Sequence, residues 1–502
     1  MTDTYKNLTD GRLLARNTLY SLIGYAFPVL AAIFSIPILI NVLGTDGFGV
    51  LTIAWMVTGY FSLLDLGVGR ALTKLLSEKL GKNDVEDIPD LIWTALMLTT
   101  LMGFFGALLI SITSSTLVNN VFKIPLALRD DVEKSFYIIA ISVPVVIGIS
   151  VLRGILESYQ RFDLINIVRV PMGSLTFLGP LLVIFFSEKL SYIVASLAVV
   201  RILEWLVCFF FCTRVVPEIL KNIRIQPLYI STFLRFGGWM TISSVLGPLM
   251  VYLDRFLIGS IISIGAVSYY ATSYEIIHRL MVVPGAIVGV IFPAIGALIG
   301  PNPLKAKTIF FGGVRYTFIS IFPLILIIFI FAEEGLRLWL GDEFALQGAS
   351  VLQWLAIGAL INCFSYFPFA VLHAAGRPDL TARLHLIETP IYMIIAWILI
   401  VRYGIEGAAI AWLIRATFDT VILFYMAGLI LKITYPKSQI LLITSTIGVL
   451  LYVSMLLPED PLFKLGFLAI VLVLLFIFSW RVFLNSDEKD FLLSYIKKLK
   501  VK

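Results

Sequence analysis

The chain has 502 residues, 59% of them hydrophobic and only 14% charged, with a mean hydropathy of +0.98. A soluble protein carries roughly 25% charged residues, so this one lacks the groups needed to face water. Its recurring long apolar stretches make it a polytopic protein of the lipid bilayer, and its net charge of +6 implies no nucleic-acid partner, because in a membrane protein the placement of basic residues matters more than their sum.

Met1 to Arg16 is polar and the first apolar run is too long for a signal-peptide core, so no cleaved leader is expected. A bilayer crossing needs about 20 apolar residues, which gives about fourteen transmembrane helices. They fall at roughly 17–42, 48–66, 91–114, 134–156, 164–187, 190–213, 234–260, 266–298, 309–331, 346–372, 382–401, 405–431, 439–457 and 462–484. These runs are continuous rather than alternating, which excludes a β-barrel and predicts an all-α polytopic membrane protein. Cys208, Cys212 and Cys363 all lie inside apolar runs with no metal-ligand company, and read as small buried hydrophobes. No metal ligand, catalytic residue or cofactor is expected, and no loop is long enough to hold a soluble enzyme domain.

Between the second and third spans runs LLDLGVGRALTKLLSEKLGKND, Leu63 to Asp84. Arg70, Lys74, Lys79 and Lys82 form a first cytoplasmic loop, predicted as an amphipathic segment at the lipid headgroups, and Gly67 and Gly69 let the chain leave the membrane. The GVG is no nucleotide fingerprint, since no strand precedes it. With the N-terminus inside and residues near the span ends counted with the adjoining loops, the cytoplasmic segments carry 27 Lys and Arg and the opposite loops 7, with 4 arginines deep inside helices. That bias places both termini in the cytoplasm.

The chain repeats itself. LINVLGTDG (39–47) matches LIGSIISIG (257–265) at an offset of 218, Arg161-Phe162-Asp163-Leu164 matches Arg377-Pro378-Asp379-Leu380 at 216, and Arg201 matches Arg415 at 214. Three nearly equal offsets indicate a duplication. The expected architecture is two pseudo-symmetric six-helix bundles, 1–225 and 226–433, around a central cavity, followed by 434–502 with two further helices and a basic tail. Parallel halves of this kind suit a transporter.

Ionisable groups at membrane depth cost roughly 2.5–3.5 kcal/mol each on insertion scales, so they face protein or a watery cavity. At about 1.5 Å per residue, Arg201 and Glu204, then Glu275, His278 and Arg279, then Arg415 and Asp419 lie near the midplane or slightly inward. Asp254 and Arg255 lie toward the outer end of the seventh span, Glu388 in the inner half of the eleventh, and Asp65 at the inner boundary. Arg201–Glu204 is spaced i,i+3, and Glu275–Arg279 and Arg415–Asp419 i,i+4, so each pair shares a helix face. Each pair reads either as a neutralised tie between helices or as part of a cationic cavity whose arginines accept phosphate. The second reading is favoured for Glu275, His278 and Arg279, which Tyr269, Tyr270 and Tyr274 precede. Guanidinium binds phosphate bidentately and aromatic rings stack on sugars, although an outer aromatic belt explains Tyr269 and Tyr270 equally well. Pro28, Pro37, Pro248, Pro284 and Pro293 mark candidate hinges.

The stretch Ala15 to Glu78 resembles the opening of Wzx-type polysaccharide (O-antigen) flippases, of the superfamily that holds MATE exporters and lipid II flippases. The matching features are the polar N-tail with Asn17, the IPILINVLGTDGFG turn from Ile36 to Gly49, and the D-x-G-x-G-R from Asp65 to Arg70. The match is strong over the first two helices and diffuse beyond them. The resemblance implies an inner-membrane carrier that moves undecaprenyl-pyrophosphate-linked oligosaccharide by alternating access, beside a polysaccharide polymerase and chain-length regulator. Within the cationic cavity it implies, the membrane-depth groups read above are the candidate substrate contacts: Arg279, His278, Glu275, Arg255, Asp254, Arg201, Arg415 and Tyr274. Asp65 and Arg70 would gate the cytoplasmic mouth, and Glu204, Asp419 and Glu388 are candidates for coupling to a proton or sodium gradient. The first helix has no charge between Arg16 and Asp46, so it lacks both the acid of many MATE exporters and the arginine of lipid II flippases. The rivals, a MATE-like exporter of small cations and a glycan polymerase or ligase, fit less well: arginines accompany the membrane-depth acids, and the outer loops are short.

Overall fold

The computed structural model describes residues 11–63, 65, 67–81, 84, 86–220, 223–299, 302–433 and 460–483, with scattered positions between 445 and 458. Among them every regular element is helical. The α-helices are α1 (Gly11–Leu63), α2 (Val68–Gly81), α3 (Ile88–Thr116), α4 (Arg129–Ser158), α5 (Phe162–Ile184), α6 (Leu190–Val215), α7 (Pro227–Ile261), α8 (Ile264–Leu280), α9 (Val282–Leu298), α10 (Pro303–Ile330), α11 (Ala332–Leu340), α12 (Asp342–Ala374), α13 (Pro378–Leu431) and α14 (Pro461–Phe478). Nine of the described helices are long and apolar enough to cross a membrane. Two of these, α1 and α13, each carry two predicted spans, because their axes break at Gly44 (φ 68°) and Gly404 (φ 62°), where glycine alone adopts the backbone without strain. The span predicted at 439–457 lies largely outside the described residues, as do the polar N-tail and the basic C-tail.

The span predicted as one helix over 266–298 is two. Pro284 has no N–H and its ring crowds the carbonyl of Leu280, so α8 ends at Leu280 and α9 begins at Val282. The Met281 N–H turns to the His278 carbonyl at 3.1 Å.

The described chain forms two compact units, one of residues 1–272 and 378–408, the other of 273–377 and 409–502. In the first, α2 departs from the expectation of a headgroup segment. Val68, Leu72, Leu76 and Leu80 recur every fourth residue on one face and are buried against Ile88 and Leu91 of α3 and Val151, Leu152 and Ile155 of α4. Burying each such side chain contributes about 1.5–3 kcal/mol, so protein rather than lipid covers this face, and Arg70 and Lys74 stay exposed on the other. Cys208 and Cys212 join the same core as free thiols.

Two further contacts order this unit. The repeated turns meet: Ser268 Oγ donates to the Thr45 carbonyl at 2.6 Å, and a Cβ on Gly49 would fall 2.0 Å from the Ile264 carbonyl oxygen. The chain between α6 and α7 is pinned to α3. The Trp93 indole N–H donates to the Ile219 carbonyl at 2.8 Å, the Gln226 N–H to Thr94 Oγ1 at 3.1 Å, the Gln226 side-chain amide to Asp90, and the Tyr229 hydroxyl to Asp87 at 3.2 Å. Beside it, burial pulls the Lys79 ammonium down, but its hydrogen bonds to Asp84 and Asp87 outweigh that and hold it above its ordinary value.

The second unit packs Ile295 of α9, Phe310 of α10, Phe367 and Val371 of α12, and Ala427 and Leu431 of α13 into one cluster. Gly313 and Gly358 make room for the rings of Phe367 and Trp412, which would lie 2.4 and 2.5 Å from a methyl placed on either glycine. Asp460 caps α14 on the Leu462 N–H at 2.9 Å, and Lys464 bonds Glu334 of α11.

Candidate functional site

The candidate residues divide between the units, and four local arrangements result. In the first unit, Arg201 on α6 reaches Glu204 one turn later, Nη1 to Oε2 at 2.7 Å, while Arg153 from α4 takes the other carboxylate oxygen. Gly148 makes this approach possible, since a methyl there would come within 2.9 Å of the Trp205 indole nitrogen. Glu204 is 1% exposed, whereas the Arg201 and Arg153 side chains are 22% and 36% exposed. A carboxylate that far from water is tolerable only when well paired, and here both its oxygens are. Glu157, one turn beyond Arg153, lies in the fields of Arg153, Arg169 and Arg70. Sequence reasoning found Arg201–Glu204 and missed Arg153, whose i,i+4 spacing to Glu157 was the available signal.

Asp254 of α7 is fully buried and accepts hydrogen bonds from the hydroxyls of Tyr270 on α8 and Tyr392 on the first arm of α13. Tyr270 is therefore a core residue rather than part of an outer belt. Arg255 is 3% exposed and lies over the Tyr252 ring at 5.6 Å, and the Tyr252 hydroxyl presses on Gly59 of α1, 2.4 Å from a methyl placed there. Glu388 is buried on the first arm of α13.

Asp65 is a helix cap. Its Oδ1 accepts from the Gly67 N–H at 2.9 Å and its Oδ2 from the Gly69 N–H at 3.0 Å, which satisfies donors that the first turn of α2 leaves open. Gly67 has φ 77°, and Gly69 packs against the Ser150 carbonyl of α4. Arg70 points outward and is exposed.

In the second unit, Glu275 and Arg279 pair at 3.2 Å, each about a third exposed. His278 is exposed in the last turn of α8, and the Tyr274 ring stacks on it at 5.6 Å and meets Trp412 edge-on at 6.0 Å. Cationic groups suit a helix C-terminus, and this one ends inside an apolar stretch. Arg415 is half-buried and Asp419 buried one turn further on, along the second arm of α13.

Long apolar helices that bury a carboxylate between two partly exposed guanidinium groups suit a multi-pass membrane transporter. The chain belongs to the polysaccharide biosynthesis protein family, whose profile matches residues 14–299. It is 30% identical over 418 residues to the "Putative O-antigen transporter" of Shigella flexneri, covering 82% of this chain and 97% of that one. Its fold is similar to that of a solved structure of the lipid II flippase MurJ, itself in an inward closed conformation, with a TM-score of 0.71 at 14% identity over 93% of this chain and 100% of that one. An inward-facing MATE family multidrug resistance transporter of the MOP superfamily gives a TM-score of 0.70 at 14% identity, over 82% and 98%.

Proposed function

We propose that this protein is a flippase, not an enzyme, that carries undecaprenyl-pyrophosphate-linked oligosaccharide repeat units across the bacterial cytoplasmic membrane by alternating access. Its product would feed synthesis of a surface polysaccharide such as O-antigen, capsule or exopolysaccharide. Membership of the polysaccharide biosynthesis family and the O-antigen transporter relative support the substrate class. The observation that carries the chemistry is the pairing of membrane-depth acids with guanidinium: Glu204 with Arg153 and Arg201, Glu275 with Arg279. A carrier of cations needs acids with charge to spare, whereas acids held by guanidinium groups, two of them on Glu204, suit a pyrophosphate.

In this reading, two six-helix bundles, 1–225 and 226–433, enclose a central cavity. Arg279, His278, Glu275 and Tyr274 hold the pyrophosphate and first sugar, with Arg201, Arg415, Arg255 and Asp254 completing the polar lining. Asp65 and Arg70 act at the cytoplasmic mouth. Asp419 and Glu388 couple transport to a proton or sodium gradient. Glu204, gripped by two guanidiniums, is better suited to positioning than to proton carriage. Both termini lie in the cytoplasm, and a polymerase and chain-length regulator receive the product.

The test is translocation in proteoliposomes, with fluorescent undecaprenyl-pyrophosphate oligosaccharide and a leaflet-selective quencher. Wild type should flip the lipid and Arg279→Ala should lose most of that activity. Absence of flipping by correctly inserted wild type, across several glycans and ion gradients, would move the assignment to a small-molecule exporter.

A further inference from the structure

We propose that the connection between α6 and α7 is a membrane-surface anchor. It seats Leu220, Ile223, Ile225 and Leu228 in the leaflet and binds anionic phospholipid through Arg214 and Arg224. This goes beyond the cargo assignment and holds whatever substrate is carried.

The placement begins on α6. Val199, Leu203, Leu206 and Phe210 are exposed at steps of three or four residues, which is one face of a helix. An apolar face left open on a membrane-spanning helix is its lipid face. Arg214 is the next step along the same stripe, exposed in the last turn, with its guanidinium over the Phe210 ring at 5.1 Å. An arginine that ends a lipid-facing stripe carries its charge out to the headgroups. The chain that follows therefore starts at headgroup depth.

It does not continue as a polar loop would. Ile219 turns inward and is buried, whereas Leu220, Ile223, Ile225 and Leu228 are 48% to 69% exposed. Side chains of this size, so close together, are unfavourable against water. The bonds to α3 keep the chain from folding them back: the Trp93 indole holds the Ile219 carbonyl, and Gln226 bonds Thr94 and Asp90. Lipid is the cover continuous with the stripe of α6, and apolar side chains beside basic ones are what an interfacial segment presents to it.

Charge selects the kind of lipid. From Arg214 to Leu228 the sequence holds three basic residues and one acid, Glu218. Among the described residues neither Arg214 nor the exposed Arg224 pairs with an acid. The acids of this region are engaged elsewhere, Asp84 and Asp87 by Lys79 and Asp90 by Gln226. The positive charge of the connection is therefore left for an outside partner, and an anionic leaflet attracts basic groups held at its surface.

The test places the photo-crosslinking residue benzoylphenylalanine at Ile223 of the full-length protein. The nanodiscs contain phosphatidylcholine with phosphatidylglycerol as the minor lipid, on identical acyl chains, and adducts are identified by mass spectrometry. Illumination should give lipid adducts in which phosphatidylglycerol exceeds its bulk share by about fivefold, the worth of one basic residue at an anionic surface. Arg214→Gln combined with Arg224→Gln should remove most of that enrichment. Arg214→Lys combined with Arg224→Lys should keep most of it, because a surface potential asks for charge and not for a planar fork. The same probe at Leu203, within the stripe of α6, should give adducts in the bulk ratio in every variant, which separates loss of the anchor from loss of folding. Adducts at Leu203 with none at Ile223 would overturn the anchor, since water then covers the connection. A bulk ratio at Ile223 in wild type, or enrichment that survives the double glutamine variant, would overturn the role of the two arginines. None of these outcomes depends on flipping, so the anchor and the cargo assignment stand or fall separately.

Discussion

Single residues carry much of the local order. Asp65 closes the start of α2 through two backbone N–H groups, one on each carboxylate oxygen, and an asparagine can accept only one of them at the same geometry, because its amide nitrogen donates. Asp65→Asn, which keeps one of the two bonds, should therefore lower the melting temperature in detergent by less than Asp65→Ala, which should cost about 1 kcal/mol, the usual worth of an N-cap. Transport by Asp65→Asn then tests the gating role directly: loss supports it, and wild-type flipping leaves Asp65 as a cap only. Asp254 depends on the hydroxyls of Tyr270 and Tyr392. Tyr270→Phe and Tyr392→Phe should each destabilise the protein by about 1–3 kcal/mol, the penalty for a buried acceptor that loses a donor, read as a lower thermal midpoint. The D-x-G-x-G-R stretch was legible as a chain exit because its partners are local. Arg153 and Tyr392 were not legible as partners of Glu204 and Asp254, since they lie 51 and 138 residues away in sequence, and hydropathy carries no record of such pairings.

At the scale of elements, apolar run length found the spans, and special backbone positions then decided how they joined. Gly44 and Gly404 fold single long helices into two arms, and Pro284 cuts one predicted span into α8 and α9. The proline was visible in the sequence, but a proline in a membrane helix bends as often as it breaks, and nothing local says which. Pro284→Ala restores an N–H within reach of the Leu280 carbonyl and should let α8 run into α9. The expected result is a protein at least as stable thermally, with reduced flipping, because the cationic end of α8 no longer stands at a break. Equal transport would remove that break from the mechanism. Gly49→Ala places a methyl 2.0 Å from the Ile264 carbonyl; overpacking of this kind costs about 1–3 kcal/mol, again read in the thermal midpoint. The amphipathic α2 shows the limit of periodicity: its stripe predicts one buried face and is silent on whether lipid or protein buries it.

For the whole molecule, three nearly equal offsets point to a duplication, and the two matching glycine-bearing stretches, 39–47 and 257–265, are brought side by side in the first unit. The proposed class of cargo rests on the family resemblance, and the pairing of acids with arginines weighs only against a carrier of small cations. Neither names the coupling ion, since a carboxylate serves proton or sodium alike. If Asp419 and Glu388 couple transport to protons, collapsing the pH gradient with an uncoupler should slow flipping in proteoliposomes while removal of sodium leaves it unchanged; the reverse pattern assigns sodium.

The pinned chain between α6 and α7 has a mechanical consequence. A connection of this kind is where compliance would ordinarily reside, yet here three hydrogen bonds at Ile219 and Gln226 clamp its ends to α3, and Tyr229 ties the first turn of α7 to Asp87 just before α3, so these ends behave as a strut. Bending strain applied to the first turn of α7 is passed to α3 and not absorbed between them. The soft points of the chain must then lie elsewhere, at the glycine breaks and at the proline joint after α8. A label placed near Tyr229 should report the motion of α3, not a hinge of its own.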